Sequence, residues 1–138
     1  MLYLMTAATA EPVTVAEAKA RLRFDGDALD ADISKMISAA REIVEQQTGY
    51  ALADASYAWS PSGAGDVLPI QPATVTSEAG ARPILFTTTP GPAPEALRTA
   101  ILLLVGDMLA NTEASVSVQL HDNPAFQTMI FPYRRVLP

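Results

Sequence analysis

The chain has 138 residues, a formal net charge of −6, 49% hydrophobic and 17% charged side chains, and no cysteine. That length corresponds to about one domain, and the composition is too apolar for a disordered chain. The lack of cysteine excludes disulfides and thiolate metal sites and is compatible with a reducing cytoplasm. Binding nucleic acid by phosphate neutralisation needs a basic patch, whereas the longest basic cluster here is Arg134-Arg135. The apolar fraction is rich for a lone monomer and points to surface that faces a partner.

Residues 1–12 read as a loose arm or an edge strand. Ala8-Thr9-Ala10 has the form of a signal-peptidase site, but residues 1–6 carry no Lys or Arg and their apolar run is too short for a signal peptide. Thr14-Val15-Ala16-Glu17 is a capping box. The Thr14 hydroxyl can accept from the Glu17 amide while the Glu17 carboxylate reaches back. This first helix turns Ala18, Leu22 and Phe24 inward and Lys19, Arg21 and Arg23 outward, and Asp25-Gly26-Asp27 breaks it.

A long helix is predicted over residues 28–48. Leu29, Ile33, Met36, Ile37, Ala40, Ile43, Val44 and Gln47 recur at three- and four-residue spacing and make one stripe. Asp32, Lys35, Arg41, Glu42 and Glu45 are expected on the opposite, solvated side. Asp27, Asp30 and Asp32 lie near the positive helix end, where carboxylates are favoured. Gly49 supplies a left-handed cap.

Residues 53–92 change character. Ser56-Tyr57-Ala58-Trp59-Ser60 alternates as a strand, and residues 73–77 and 84–88 read as a hairpin around Glu78-Ala79-Gly80-Ala81. Pro69, Pro72, Pro83, Pro90 and Pro92 keep these strands short and at edges. Pro94 opens another helix, running to about Asn111, whose Leu97, Ala100, Ile101, Leu102, Leu103, Leu104, Val105, Met108 and Leu109 cover nearly its whole circumference. Such a helix is central, and the long helix is expected to pack on it. Its apolar run is far shorter than the roughly 20 residues that span a bilayer. Residues 115–120 alternate with period two, as a strand or an extended linker. Asn123-Pro124 caps a last short helix over residues 125–130, and Phe131-Pro132-Tyr133-Arg134-Arg135 follows. The expected fold is mainly α (α+β): one domain built as a small bundle of about four helices. Residues 1–12 form its flexible arm, 53–92 a β-rich insert with a short hairpin or sheet, and 113–138 an extended segment and tail.

Motifs for chemistry are sparse. His121 beside Asp122 could serve acid–base work, but no Gly-x-Ser-x-Gly elbow accompanies it, and an exposed loop histidine is the simpler reading. A calcium loop starting at Asp25 would need an acidic residue or Asn at Leu29, glycine at Asp30 and glutamate at Met36, and all three positions fail. Gly63-Ala64-Gly65 lacks the spacing and the Lys-Ser/Thr of a phosphate loop. Trp59, Tyr57 and Phe86 could stack bases, but without basic neighbours they read as packing. No catalytic, cofactor-binding or metal-binding residue is assigned, and no cofactor is expected.

The order of these segments resembles the tailed-phage head–tail connector family, the small head-completion or adaptor proteins under the portal. The resemblance is carried by Glu11-Pro12-Val13-Thr14-Val15-Ala16-Glu17-Ala18-Lys19 with Leu22, by Ala39-Ala40-Arg41-Glu42 with Val44-Glu45 and Thr48-Gly49, and by Trp59 with Leu68-Pro69 and Pro72. The run from Pro94 through Val105, then Asn111 and Glu113, and the closing Tyr133-Arg134 complete it. Thr112 stands where the family has arginine, and Asp107-Met108-Leu109 where it is commonly aromatic. Related adaptors occur in gene transfer agents, phage-like particles encoded by bacteria.

The resemblance implies a non-enzymatic ring, typically dodecameric, in the neck of a virion or phage-like particle assembled in the bacterial cytoplasm. Its partners would be copies of itself, the portal protein and a tail-side neck or stopper protein. Double-stranded DNA would pass through without specific binding, and no membrane is involved. A ring of heterologous contacts needs two different adhesive faces. Val116, Val118 and Leu120 are candidates for strand addition to a neighbour, and Phe131, Tyr133, Arg134 and Arg135 for portal binding. Asp25, Asp27, Asp30 and Asp32 are candidates for an acidic channel lining that repels DNA over about 8 Å at physiological salt. The alternatives are another small neck or tail-completion protein, or a small ligand-binding or enzymatic domain with converging polar groups in a pocket.

Overall fold

The computed structural model describes residues 2–61, 67–110 and 124–134. Along the chain these form strand β1 (Leu2–Thr6), helices α1 (Val15–Leu22) and α2 (Asp30–Thr48), strands β2 (Ser56–Trp59), β3 (Ala73–Val75) and β4 (Ile84–Thr88), and helices α3 (Glu95–Ala110) and α4 (Pro124–Ile130). A 3-10 turn over Phe131–Tyr133 follows. The fold is α+β, as expected: helices around one core, with a four-stranded antiparallel sheet in the order β1-β2-β4-β3. Leu2–Thr6 is an edge strand, the second of the two readings open for the N-terminal residues.

Local chemistry sets the helix ends. The Thr14 hydroxyl accepts from the Glu17 amide at 3.1 Å and starts α1. The Glu17 carboxylate does reach back, its Oε1 accepting from the Thr14 hydroxyl at 3.4 Å, while its Oε2 accepts from the Arg98 guanidinium and so ties α1 to α3. α1 stops before the Asp25-Gly26-Asp27 break, at Arg23, which adopts a left-handed conformation with φ 54°. The Phe24 amide there donates to the Lys19 carbonyl at 3.0 Å, a bond that closes the last turn. At the end of α2, Gly49 takes the left-handed cap (φ 70°) and donates to the Glu45 carbonyl at 2.7 Å.

The main core lies between α2 and α3. Ile33, Ile37, Ala40 and Val44 of α2 meet Leu97, Ala100, Ile101, Leu104 and Val105 of α3, with Phe126 and Ile130 of α4 closing one end. At Gly106 of α3 an added Cβ would lie 3.1 Å from Leu22 Cδ2, so glycine allows α1 to lie close on α3. A second, smaller core belongs to the sheet: Ala51, Ala55, Tyr57, Ile70 and Phe86, with the Tyr57 and Phe86 rings stacked 5.3 Å apart. That stack is packing within the sheet core, and Trp59 lies partly buried beside it.

The periodicity of the long helix places Arg41 and Glu45 on its solvated side, yet they are 4% and 1% exposed. The helix has two covered sides. One takes α3, and the other lies under the chain that leaves α2 for the sheet and under Glu11 before α1.

Candidate interaction surfaces

The buried polar and charged residues Arg41, Glu45, Thr48 and Thr88 gather where the helices meet the sheet. Arg41 Nε donates to Glu11 at 2.6 Å, and its Nη1 donates to Glu45. Glu11 also accepts from the Ser38 hydroxyl at 2.9 Å, and Glu45 accepts from the Leu52 amide at 2.9 Å. Thr88 Oγ1 accepts from the Ala55 amide at 2.9 Å and donates to the Ala53 carbonyl at 2.6 Å. Among the described residues no buried side-chain polar atom lacks a partner. Burial pushes the Glu45 carboxyl above its ordinary range, against the pull of the Leu52 amide and Arg41. Burial opposes the Arg41 cation too, but Glu45 and Glu11 outweigh it and hold the guanidinium charged. A buried, fully partnered network of this kind holds the helix–sheet junction in one arrangement.

The assigned acidic residues separate into two kinds. Lys19 Nζ sits 2.9 Å from Asp30 and 3.4 Å from Asp27, so those two carboxylates share a cation, and their hydrogen bonds raise the lysine pKa, Asp30 foremost. Asp25 and Asp32 are exposed. The open groove beside α1 is lined by Lys19, Arg23, Phe24, Asp25 and Asp30, a mixture of charges without a closed cavity. Among the described residues no group of three or more His, Cys, Asp or Glu could hold a metal ion.

The C-terminal residues also divide. Phe131 is 74% exposed and Arg134 is exposed. Tyr133 turns inward, its ring edge-on to Tyr50 with centroids 5.8 Å apart. Arg135, His121 and the candidate assembly residues Val116, Val118 and Leu120 lie outside the described residues.

A surface that sequence reasoning missed is the outer edge of β1, where Tyr3, Leu4 and Met5 are all exposed, while Val75 is exposed on the opposite edge of the sheet. Leu2-Tyr3-Leu4-Met5 had the signal, an apolar stretch without charge. Among the described residues no helix is long and apolar enough to cross a membrane.

The arrangement is an α+β scaffold with exposed sheet edges, and known proteins share its fold. The chain is similar in structure to a chain from the neck of an empty gene transfer agent particle computed with C6 symmetry, with a TM-score of 0.69 and 22% identity over 99% of this chain and 97% of that one. It is likewise similar to a chain from the virion of a native gene transfer agent particle, with a TM-score of 0.71 and 23% identity over 99% of this chain and 97% of that one. No curated protein sequence resembles it closely enough to count as a match. The family model for the phage gp6-like head-tail connector protein matches residues 12–134, all but the ends of the chain, and the chain belongs to that family of structural connectors, which are not enzymes.

Proposed function

We propose that this chain assembles as a dodecameric ring on the portal of a phage or phage-like particle, extends the DNA channel and presents the docking surface for a tail-side neck protein. The observation that carries the reading is the likeness, over 99% of the chain, to a chain of a gene transfer agent neck. A dodecamer satisfies the C6 symmetry used for that neck. Family membership supplies the connector role, and exposed apolar strand residues on a chain of net charge −6 supply association without affinity for DNA.

In this ring, Phe131 and Arg134 engage the portal, joined by Arg135. Tyr133 holds that segment to the helical body through Tyr50. Asp25 and Asp32 keep the channel wall repulsive, with Asp27 and Asp30 partly offset by Lys19. Residues 115–120 add a contact between neighbours through Val116, Val118 and Leu120. Mixing the chain with the portal of the same particle and measuring mass and shape by native mass spectrometry and electron microscopy tests the reading. A ring seated on the portal is expected. A chain that stays monomeric and unbound across a wide concentration range would refute it. A monomer in isolation would not, because mass action on the portal can drive assembly.

A further inference from the structure

Among the described residues, β1 and β3 are the edge strands of the sheet, each with a neighbouring strand on one side. Hydrogen-bond alternation shows which backbone groups point out of each. In antiparallel pairs, residues alternate between those that bond to the neighbouring strand and those that point away from it. The Thr88 amide donates to the Ala55 carbonyl at 2.9 Å. Continued along the β2–β4 register, this makes Tyr57–Phe86 and Trp59–Ile84 hydrogen-bonded pairs. Ser56 and Ala58 then bond toward β1, where Tyr3 pairs with Ala58, so the backbone groups of Leu2 and Leu4 point outward.

On the other side, the Thr89 amide donates to Pro72 at 2.9 Å and the Thr76 amide to Leu85 at 2.8 Å. Thr74 therefore bonds to Thr87, and Ala73 and Val75 point outward. Each edge thus presents a pair of residues two apart. Leu2 and Leu4 lie on the same face of the sheet as Ala73 and Val75, because Leu4, Tyr57, Phe86 and Val75 form one row across the strands.

The strand directions agree as well. An antiparallel sheet with an even number of strands has edges that run opposite ways. A second copy related by simple rotation therefore offers its β3 antiparallel to this β1. Neither strand carries lysine, proline or any charge, the usual devices that block edge pairing. Glu42 lines the groove beside β1, while Arg82, next to Glu78, lines the groove beside β3.

We infer that β1 of one subunit pairs with β3 of the next copy, Leu2 opposite Val75 and Leu4 opposite Ala73, so that the sheets join into a continuous antiparallel band around the assembly. The contact is heterologous, the kind that closes rings, and the inference rests on the ring reading above. Pairing by strand addition takes its affinity from main-chain bonds and its specificity from the flanking side chains.

In this register Tyr3 and Thr74 of neighbouring copies face each other as a non-hydrogen-bonded pair, with Cα atoms about 4.5 Å apart, within disulfide range. Both are exposed, and the native chain has no cysteine to interfere. The test oxidises the full chain carrying Tyr3→Cys with Thr74→Cys, alone and on the portal, and reads covalent species on denaturing gels beside native mass. A ladder beyond dimer is expected from the double variant, and dimer alone from a mixture of the two single variants. Leu4→Pro removes an amide the monomer's sheet does not use and should raise the concentration for half-assembly at least tenfold with the monomer's circular dichroism intact.

Assembly without the ladder, or assembly unmoved by Leu4→Pro, would overturn the edge pairing and leave the ring reading standing. Cross-linking of Tyr3→Cys to itself would show a two-fold β1–β1 contact, and cross-linking to Ser117→Cys would give the edge to residues 115–120; either overturns the inference. No assembly under any condition would remove the ring and the pairing together.

Discussion

Replacing Arg41 with methionine keeps most of the side-chain volume but leaves Glu45 buried without its cation. The Arg41 side chain is 5% exposed and that of Glu45 1%, so water cannot take the guanidinium's place without opening the helix–sheet junction. Removing one partner of a buried pair costs about 3–5 kcal/mol. Two features place this case near the low end. The Leu52 amide still donates to Glu45 at 2.9 Å, and Glu11, with 21% of its side chain exposed, can rehydrate. We expect a loss of about 3 kcal/mol at neutral pH, read as the shift of the urea midpoint at constant slope.

The pH dependence supplies the sharper test. Burial already pushes Glu45 above its ordinary 4.5, and without Arg41 the carboxyl rises further. A folded-state value above the unfolded one means the native state holds the proton longer, so stability falls as pH rises through the folded value. The deficit against the native chain should therefore be small in mild acid and full above the raised value. Arg41→Met with Glu45→Leu should recover part of the loss, because it removes both buried charges while leaving the Leu52 amide without its acceptor, and it should abolish the pH dependence of the deficit. A single-variant deficit below about 1 kcal/mol that stays flat with pH would refute the buried-pair account, since that is the behaviour of a solvated surface pair.

Other outcomes follow from packing and exposure. Leu104→Ala, at a fully buried position facing α2, should cost about 3 kcal/mol by thermal or urea unfolding. Gly106→Ala should stay within about 0.5 kcal/mol, because only the movable end of Leu22 stands at 3.1 Å, whereas Gly106→Leu should cost about 1–3 kcal/mol by forcing α1 off α3. Phe131→Ala should leave the melting temperature unchanged while weakening portal binding in a pull-down titration. Tyr133→Ala should lose about 1 kcal/mol of stability, because it removes the edge-on contact with Tyr50.

The helices were legible because each carries its own local instructions. Thr14 and Gly49 act as the caps their residue types predict, and the apolar spacing of α2 and α3 identifies the faces that meet in the core. The end of α1 was less legible. Arg23 takes a left-handed conformation that non-glycine residues rarely adopt, so no residue type announces it. The hairpin of β3 and β4 could be read from alternation and turn residues, but β1 could not be separated from an arm. What makes it a strand is its pairing with β2, at least 50 positions away in the chain.

Arg41 and Glu45 show where periodicity stops being informative. At i and i+4 on the polar side of an amphipathic helix, they look like a surface ion pair. Their burial depends on Glu11, 30 positions from Arg41, and on the Leu52 amide, 7 positions from Glu45. Both partners lie outside the helix itself. The same residues explain why the helical core and the sheet core, which share no buried side chain, keep a fixed relation. The attachment is made by directional bonds at the junction, where apolar packing would allow sliding. Such a joint sets the angle at which the sheet edges leave the helical body, and in a ring built from those edges that angle sets curvature. Arg41→Met/Glu45→Leu, which removes the buried charges but also the directional bonds, should therefore yield folded subunits whose assemblies vary in copy number. Electron microscopy would read this as a broadened ring diameter, and rings of native, uniform diameter would show that curvature is set elsewhere.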